Sequence, residues 1–536
     1  MADKRLVLAD PLSEEGMEIL ESAGGLVVDD LSSRSRPELL EALNGTSGII
    51  VRSATQADEE LLEHASSLEV IGRAGVGLDN IDLEAATRRG IAIINAPAGN
   101  TLSTAEHAFA LLLALARGIP AADASMRAGR WERKALKGSQ IAGKTLGVVG
   151  VGRIGTEIVR RARAFGMTVV VSDPYLSDAR ARELGVDALA LEALLERSDF
   201  VTLHLPLVDE TRHLIGANEL ARMKPSAFLV NAARGGIVDE TALVAALRAG
   251  TIAGAALDVY EAEPLSEQDP LRDCPNLIMT PHLGASTPEA QREVAIEIAR
   301  AVRDALLDGN IATAVNLPSP APEDRPRADA LLDLSRRLGR LLGELTDGAV
   351  GSISVRCSTC SSDAVRELGV SAALEGFLSV RLAGPLNLIN AKLLAAERGI
   401  EVGSFEVRPE GRGRDWIEIV SESRGRRRSV AGKLTSGGGA RLLQVDGFRV
   451  EGSPAGTLLF VRNDDVPGVI GALGTILAGA GVNIGEFHQA RDRERGEALG
   501  VVSLDAALGA DRLAALREIE GVRDVRQVKL PPPRDD

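Results

Sequence analysis

Thr145-Leu146-Gly147-Val148-Val149-Gly150-Val151-Gly152-Arg153-Ile154-Gly155 is the stretch that decides the fold. An apolar, β-branched run passes into G-x-G-x-x-G and then into Arg153–Ala164, which has helical period. Gly150 allows the tight turn, Gly152 lets backbone approach a pyrophosphate, and Gly155 lets the helix pack on the strand. Free N–H groups and a positive dipole end at the start of such a helix favour phosphate. A second apolar run, Thr168–Ser172, ends at Asp173, 18 residues beyond Gly155. A carboxylate at that spacing accepts hydrogen bonds from ribose hydroxyls and repels a 2′-phosphate, which points to NAD rather than NADP.

Outward from this unit, short apolar runs alternate with Ala/Leu/Arg-rich helical segments up to about Pro318. The runs are Arg5–Ala9, Gly48–Val51, Val70–Ile71, Ile91–Asn95, Thr145–Gly150, Thr168–Ser172, Phe200–His204, Ala227–Asn231, Gly254–Asp258 and Leu277–Thr280. Helical segments between them include Glu14–Ala23, Ala57–Ala65, Thr104–Arg117 and Glu240–Ala249. Such alternation means βαβ units, and ten strands exceed one small sheet, so an α/β chain with two doubly wound parallel-sheet domains is expected. Pro318-Ser319-Pro320-Ala321-Pro322 reads as a linker. A helix over Ala328–Leu345 and a mixed α+β region to about Glu451 follow, with Ser436-Gly437-Gly438-Gly439 as its plainest turn. Gly452-Ser453-Pro454 is a second linker. Both linkers read as few-contact hinges, so a chain cut after Glu451 is expected to keep its activity. The last segment reads strand, turn, helix, strand over Thr457–Val461, Asn463–Gly468, Val469–Ala480 and Val482–Phe487, and the tail Pro531–Asp536 reads as disordered.

Composition excludes several classes. The 536 residues are 45% hydrophobic and 26% charged, a globular balance. The formal charge of −15 and thirteen aromatic residues argue against nucleic acid or an anionic membrane as partner. Three cysteines point to a reducing compartment, and the longest uncharged apolar run, Ala108–Ala116, is far short of a membrane span, so a cytoplasmic protein is expected. Cys357-Ser358-Thr359-Cys360 has neither a second pair nor a nearby histidine and reads as structural; no metal site is expected. Arg424-Gly425-Arg426-Arg427-Arg428 reads as a solvated hairpin tip, with anion binding as the alternative, and His107 as a packed helix residue.

Three further segments follow apolar strands: Asn231-Ala232-Ala233-Arg234-Gly235-Gly236, Asp258-Val259-Tyr260-Glu261-Ala262-Glu263-Pro264, and Pro281-His282-Leu283-Gly284-Ala285-Ser286-Thr287. Ligands of doubly wound folds sit beyond the carboxyl ends of the strands, so Arg234, Glu263 and His282 can share one cleft. Arginine clamps a carboxylate bidentately, histidine moves protons near neutral pH, and a carboxylate beside it fixes its tautomer.

With Arg73-Ala74-Gly75-Val76-Gly77-Leu78-Asp79-Asn80 and Trp131-Glu132-Arg133-Lys134, these segments resemble the D-isomer-specific 2-hydroxyacid dehydrogenase family, and the resemblance runs along essentially the whole chain. It implies an NAD-binding Rossmann domain over residues 99–282 and a flavodoxin-like substrate domain over 1–98, completed by 283–317. An intervening regulatory domain over 318–452 and an ACT (ferredoxin-like) domain over 453–530 are implied as in the family's long bacterial form. The implied activity is NAD-dependent oxidation of 3-phospho-D-glycerate to 3-phosphohydroxypyruvate, the first step of L-serine biosynthesis. The alternatives are a glyoxylate, hydroxypyruvate or other 2-keto acid reductase, and an NAD-sensing protein without the chemistry.

By resemblance Arg234, Glu263 and His282 are catalytic. Cofactor contacts fall on Gly150, Gly152, Arg153, Ile154, Gly155, Asp173, Ala232, Ala233, Asp258, Gly284 and Ala285. Val76 and Leu205 join them, where many members carry threonine. By their position at or just after the first domain's strands, Arg52, Ser53 and Arg73 are expected to bind the substrate's carboxylate and phosphate; by resemblance Arg133 reaches the adjacent subunit's site in a homodimer or homotetramer. In the terminal domain Asn463, Asp465 and Asn483 are the implied ligands of an effector, L-serine, between paired copies; a pairing module without ligand is the alternative.

Overall fold

The computed structural model describes residues 3–358, 362–407, 416–423, 425–435, 438–492, 494 and 496–532. Thr359 and Cys360 of the C-x-x-C, Arg424 of the basic run, Ser436 and Gly437 of the glycine-rich turn, and Pro533–Asp536 lie outside them.

Strands covered by helices on both faces must be apolar, and the inner strands of the first two sheets follow that rule. β1 (Lys4–Leu8), β2 (Leu26–Asp30), β3 (Gly48–Val51), β4 (Val70–Arg73) and β5 (Ala92–Asn95) form a parallel sheet in the order β2-β1-β3-β4-β5. This is the flavodoxin-like winding. β6 (Thr145–Val149), β7 (Thr168–Ser172), β8 (Asp187–Ala188), β9 (Phe200–Leu203), β10 (Phe228–Asn231), β11 (Gly254–Leu257) and β12 (Leu277–Met279) form a second parallel sheet. Its order, β12-β11-β10-β9-β6-β7-β8, is the dinucleotide-binding winding with one strand added.

β2 and β8 escaped the sequence reading. Both are edge strands: β2 is half-exposed and ends in two aspartates, and β8 is two exposed residues, so neither needs an apolar run. Ala9, Gly150, His204, Asp258 and Thr280, read as strand residues, lie one position past the strand ends.

After the second sheet the chain returns to the first. The helix Pro288–Asp308 buries Val294, Ile298, Ala299 and Val302 in one core with Leu6, Ile50 and Ile94. The Val315 N–H then donates to the Ile93 carbonyl at 2.7 Å.

The third sheet is mixed, in the order β14-β13-β15-β16-β17-β18, from β13 (Ser352–Cys357), β14 (Glu401–Glu406), β15 (Trp416–Ser423), β16 (Arg426–Leu434), β17 (Ala440–Val445) and β18 (Phe448–Gly452). The fourth is antiparallel: β19 (Gly456–Asp464), β20 (Ile484–Asp492), β21 (Glu497–Leu504) and β22 (Val522–Leu530), in the order β20-β21-β19-β22. With the helices Val469–Gly479 and Ala510–Arg517 it makes the ferredoxin-like βαββαβ unit.

The expected hinges are corrected here. Leu334, Leu338, Phe448 and Val450 share one continuous core with Leu458, Phe460, Leu499, Val501, Val528 and Leu530, so the third and fourth sheets form one body. The helix Arg325–Leu345 is buried around most of its circumference because it packs on the helix Asp363–Leu378 as well as on β15, β16 and β22. Its Arg337, 5% exposed, donates to the carbonyls of Pro531 at 2.7 Å and Pro532 at 2.9 Å. This body also docks on the first sheet: Asn387 Nδ2 donates to the Gly90 carbonyl at 2.7 Å, and Ile389 enters the first sheet's core. Punctuation by Pro and Gly shows where the backbone turns, not whether surfaces part. Among the described residues no single helix is long and apolar enough to cross a membrane.

Candidate active site

Strand order in the second sheet reverses between β6 and β9, and the crevice beyond their carboxyl ends is the expected ligand position. Gly150 there has φ +88°, and a Cβ on it would lie 2.4 Å from the His204 carbonyl oxygen. A Cβ on Gly155 would lie 2.1 Å from the Gly150 carbonyl oxygen, so any side chain would lift the helix off the strand. At Gly152 a Cβ would meet nothing within 4 Å; the loop is open on that side. Gly152 caps the helix Arg153–Ala164 without any side-chain hydrogen bond, leaving the first-turn N–H groups for a ligand. Asp173 follows β7, and its carboxylate accepts the Val151 N–H at 2.8 Å and the Tyr175 N–H at 2.9 Å, which ties the acid to the glycine loop. These groups fit the pyrophosphate and ribose of NAD. Leu205 lies beside Gly150, and the Val76 carbonyl accepts Asn95 Nδ2 at 2.7 Å.

Three turns past β10, β11 and β12 bring the acid–base residues together. The buried Asn231 side chain accepts the Ala233 N–H at 3.1 Å and donates to the Arg234 carbonyl at 2.9 Å, fixing the turn Ala232–Arg234. Glu263 accepts the Tyr260 N–H at 3.0 Å. His282 Nδ1 lies 2.7 Å from Glu263 Oε2, so Nδ1–H donates to the carboxylate and Nε2 is left as the free lone pair. The hydrogen bond to Glu263 raises the His282 pKa above the usual imidazole value and outweighs burial. Burial pushes Glu263 up, yet the bonds from His282 and the Tyr260 N–H hold it below the usual carboxylate range. Both shifts describe one ion pair.

The opposite wall is cationic. Arg52 follows β3, Arg73 ends β4, and Arg73 lies in the field of both Arg234 and Arg52. Burial first, then Arg234 and Arg52, lower the Arg73 pKa to about 10, and its Nε is buried without a hydrogen-bond partner among the described residues. Arg234 Nε lies 3.4 Å from Asp79 Oδ2, across the cleft between the first two sheets. A Cβ on Gly77 would lie 2.4 Å from Arg234 Nη2, so glycine leaves room for the guanidinium there. Like charges gathered this way call for an anion.

Asp10 and Asn80 were not singled out in the sequence. The Asp10 carboxylate accepts the N–H groups of Arg52 at 2.5 Å and Thr55 at 3.2 Å, and Asn80 Nδ2 donates to the carbonyls of Arg52 and Thr55, each at 2.6 Å. They hold the loop that carries Arg52 and Ser53. The signal was present: Asp10 closes the first strand and Asn80 ends the quoted motif.

Two sets are not brought to this cleft. Arg133 lies on an exposed arm beside Trp131, which is 81% exposed, and among the described residues it has no hydrogen bond or ion pair. In the fourth sheet Asn463 is buried, donating to the Asp464 carbonyl at 2.6 Å. Asp465 is paired with Arg491 at 2.7 Å, and Asn483 is exposed before β20. β21 separates β19 from β20, and among the described residues no hydrogen bond joins these three.

Fold and site together define an NAD-dependent 2-hydroxyacid dehydrogenase. Residues 109–284 match the D-isomer specific 2-hydroxyacid dehydrogenase NAD binding domain, 328–446 the D-3-phosphoglycerate dehydrogenase intervening domain, and 457–521 the ACT domain. A D-3-phosphoglycerate dehydrogenase of Synechocystis is 40% identical over 98% of this chain and 95% of its own. One of Archaeoglobus fulgidus is 39% identical over 98% of this chain and 100% of its own. The solved glyoxylate reductase of Paecilomyes thermophila is 34% identical and covers 60% of this chain with all of its own, at a TM-score of 0.54. The chain belongs to the D-3-phosphoglycerate dehydrogenase family.

Proposed function

We propose that His282, Glu263 and Arg234 carry the oxidation of 3-phospho-D-glycerate to 3-phosphohydroxypyruvate, the first step of L-serine synthesis. The observation that supports this most is the 2.7 Å His282–Glu263 pair set in the field of Arg234. The chemistry NAD supplies when bound is acceptance of the hydride from C2. Gly150, Gly152, Arg153, Ile154, Gly155 and Asp173 would hold it, with Val76, Leu205, Ala232, Ala233, Asp258, Gly284 and Ala285 along its reacting half. Neutral His282 takes the C2 hydroxyl proton at Nε2, and Glu263 stabilises the imidazolium that forms. Arg234 leaves Asp79 to clamp the substrate carboxylate and the reacting oxygen.

Arg52, Ser53 and Arg73 take the phosphate, whose charge relieves the repulsion among the three arginines; Arg133 of a second copy completes the site. The matched intervening domain favours this substrate over the 2-keto acids of the shorter reductases. Hydrogen bonds to charged groups contribute about 1.5–3 kcal/mol each. Hence kcat/KM for 3-phosphoglycerate is expected to exceed that for D-glycerate by about 10²-fold or more. Equal values in an NAD-linked turnover assay would remove the phosphate assignment.

The ACT domain supports an amino-acid effector. We assign L-serine, held between paired terminal domains by Asn463, Asp465 and Asn483. Because Arg491 occupies the Asp465 carboxylate, the serine ammonium must displace it, which makes binding weak. Calorimetry on the full-length chain is expected to show saturable heat with L-serine. No heat at millimolar serine, with unchanged kinetics, would leave a pairing module only.

A further inference from the structure

The packed helix residue of the sequence reading, His107, is neither apolar in its contacts nor idle. It lies on the helix Thr101–Arg117, and its Nε2 sits 3.0 Å from Asp258 Oδ1 and 3.2 Å from Thr280 Oγ1. Thr280 Oγ1 donates to the same Asp258 oxygen at 2.5 Å, which leaves Nε2–H of His107 as the donor toward the pair. Asp258 is 1% exposed, and its two oxygens also accept the backbone N–H groups of Leu283 at 2.8 Å and Gly284 at 2.9 Å.

Between these anchored residues and Thr280 stands His282, at φ +56°. A non-glycine residue keeps a left-handed backbone only where its surroundings over-determine it. The His282 N–H is held by the carbonyls of Asp258 at 2.8 Å and Thr280 at 3.1 Å. From the same helix face Thr104, three residues before His107, donates to the Gly284 carbonyl at 3.2 Å. Burial drives Asp258 toward protonation, and the bonds from His107, Thr280 and Leu283 more than offset it, so the carboxylate stays ionised and accepts from all sides.

We propose that His107 is a positioning residue of this dehydrogenase: by donating to Asp258 it holds that carboxylate on the Leu283–Gly284 backbone and so keeps the His282 ring aimed at the substrate. The proposal rests on the assignment of His282 as the base. His107 touches neither substrate nor the reacting atoms; it acts through Asp258. A group misplaced by about 1 Å can cost roughly 10²-fold in rate. The expected signature is therefore a loss in kcat with little change in KM.

The test compares His107→Leu, which removes the donor, with His107→Gln, whose amide can replace it. His107→Leu should lower kcat by about 10–100-fold with KM for 3-phosphoglycerate within about threefold. His107→Gln should stay within about threefold of the parent in both. Pure packing ranks them the other way, with the apolar Leu tolerated better. Thermal unfolding and the fluorescence of NADH binding are followed alongside. Should His107→Leu fail to fold, Thr280→Val against Thr280→Ser asks the same question of the second donor. An unimpaired kcat in His107→Leu, or a loss in His107→Gln as large as in His107→Leu, overturns the proposal. His282→Ala in the same assay separates the two levels: full activity there removes the base assignment itself, whereas a crippled His282→Ala beside a normal His107→Leu removes only the positioning role.

Discussion

Replacing His282 with alanine is expected to lower kcat by about 10²–10⁴-fold while NADH still binds, since loss of a general acid–base group costs that much. The 2.7 Å bond from Nδ1 to Glu263 leaves Nε2 free to take a proton. Oxidation needs the neutral imidazole, so activity rises with pH through the His282 pKa. Glu263 and Asp258 raise that pKa and Arg234 lowers it, with the net shift upward from 6.5. The acid limb of kcat/KM for oxidation is accordingly expected above pH 6.5. Glu263→Gln, which removes the carboxylate charge, should move the limb to lower pH and reduce kcat. Stopped-flow and steady-state rates across pH check both; a His282→Ala enzyme turning over near the parent rate would remove His282 as the base.

Removing the chain after Glu451 is the second large effect, and it reverses the expectation drawn from the linkers. Leu458, Phe460, Leu499, Val501, Val528 and Leu530 leave the core they share with Leu334, Leu338, Phe448 and Val450. Burying a large apolar side chain stabilises by about 1.5–3 kcal/mol. Six of them amount to roughly 9–18 kcal/mol, at least comparable with the whole stability of a typical domain, about 5–15 kcal/mol. Arg337 meanwhile loses its acceptors at Pro531 and Pro532 and keeps only its ion pair to Asp333 at 2.6 Å. The truncated chain is expected to aggregate, bind a hydrophobic dye and lose its sharp thermal transition. A monodisperse product with cooperative unfolding would show that the third sheet stands alone.

The sequence by itself determined the parts that depend on local chemistry. Continuous apolar runs located the inner strands of both parallel sheets, because a strand buried on two faces has no polar alternative. The spacing from Gly150 to Asp173 identified the dinucleotide loop, because a tight turn, a close helix approach and a strand-end acid each demand a residue type at a set distance. Strand-end Arg234, Glu263 and His282 were legible as a group, since in doubly wound sheets the carboxyl ends share one crevice.

Tertiary structure alone decided the rest. Asp10 and Asn80 read as ordinary polar residues until folding puts them under the Arg52 loop. His107 read as packing because its partners, Asp258 and Thr280, lie 151 and 173 residues away. Whether Gly452-Ser453-Pro454 is a hinge or a seam depended on which face of the helix Arg325–Leu345 meets β22. Hydrogen bonding, ion pairing and shared burial between distant segments are set by three-dimensional proximity, and no local pattern of residue types encodes that proximity directly.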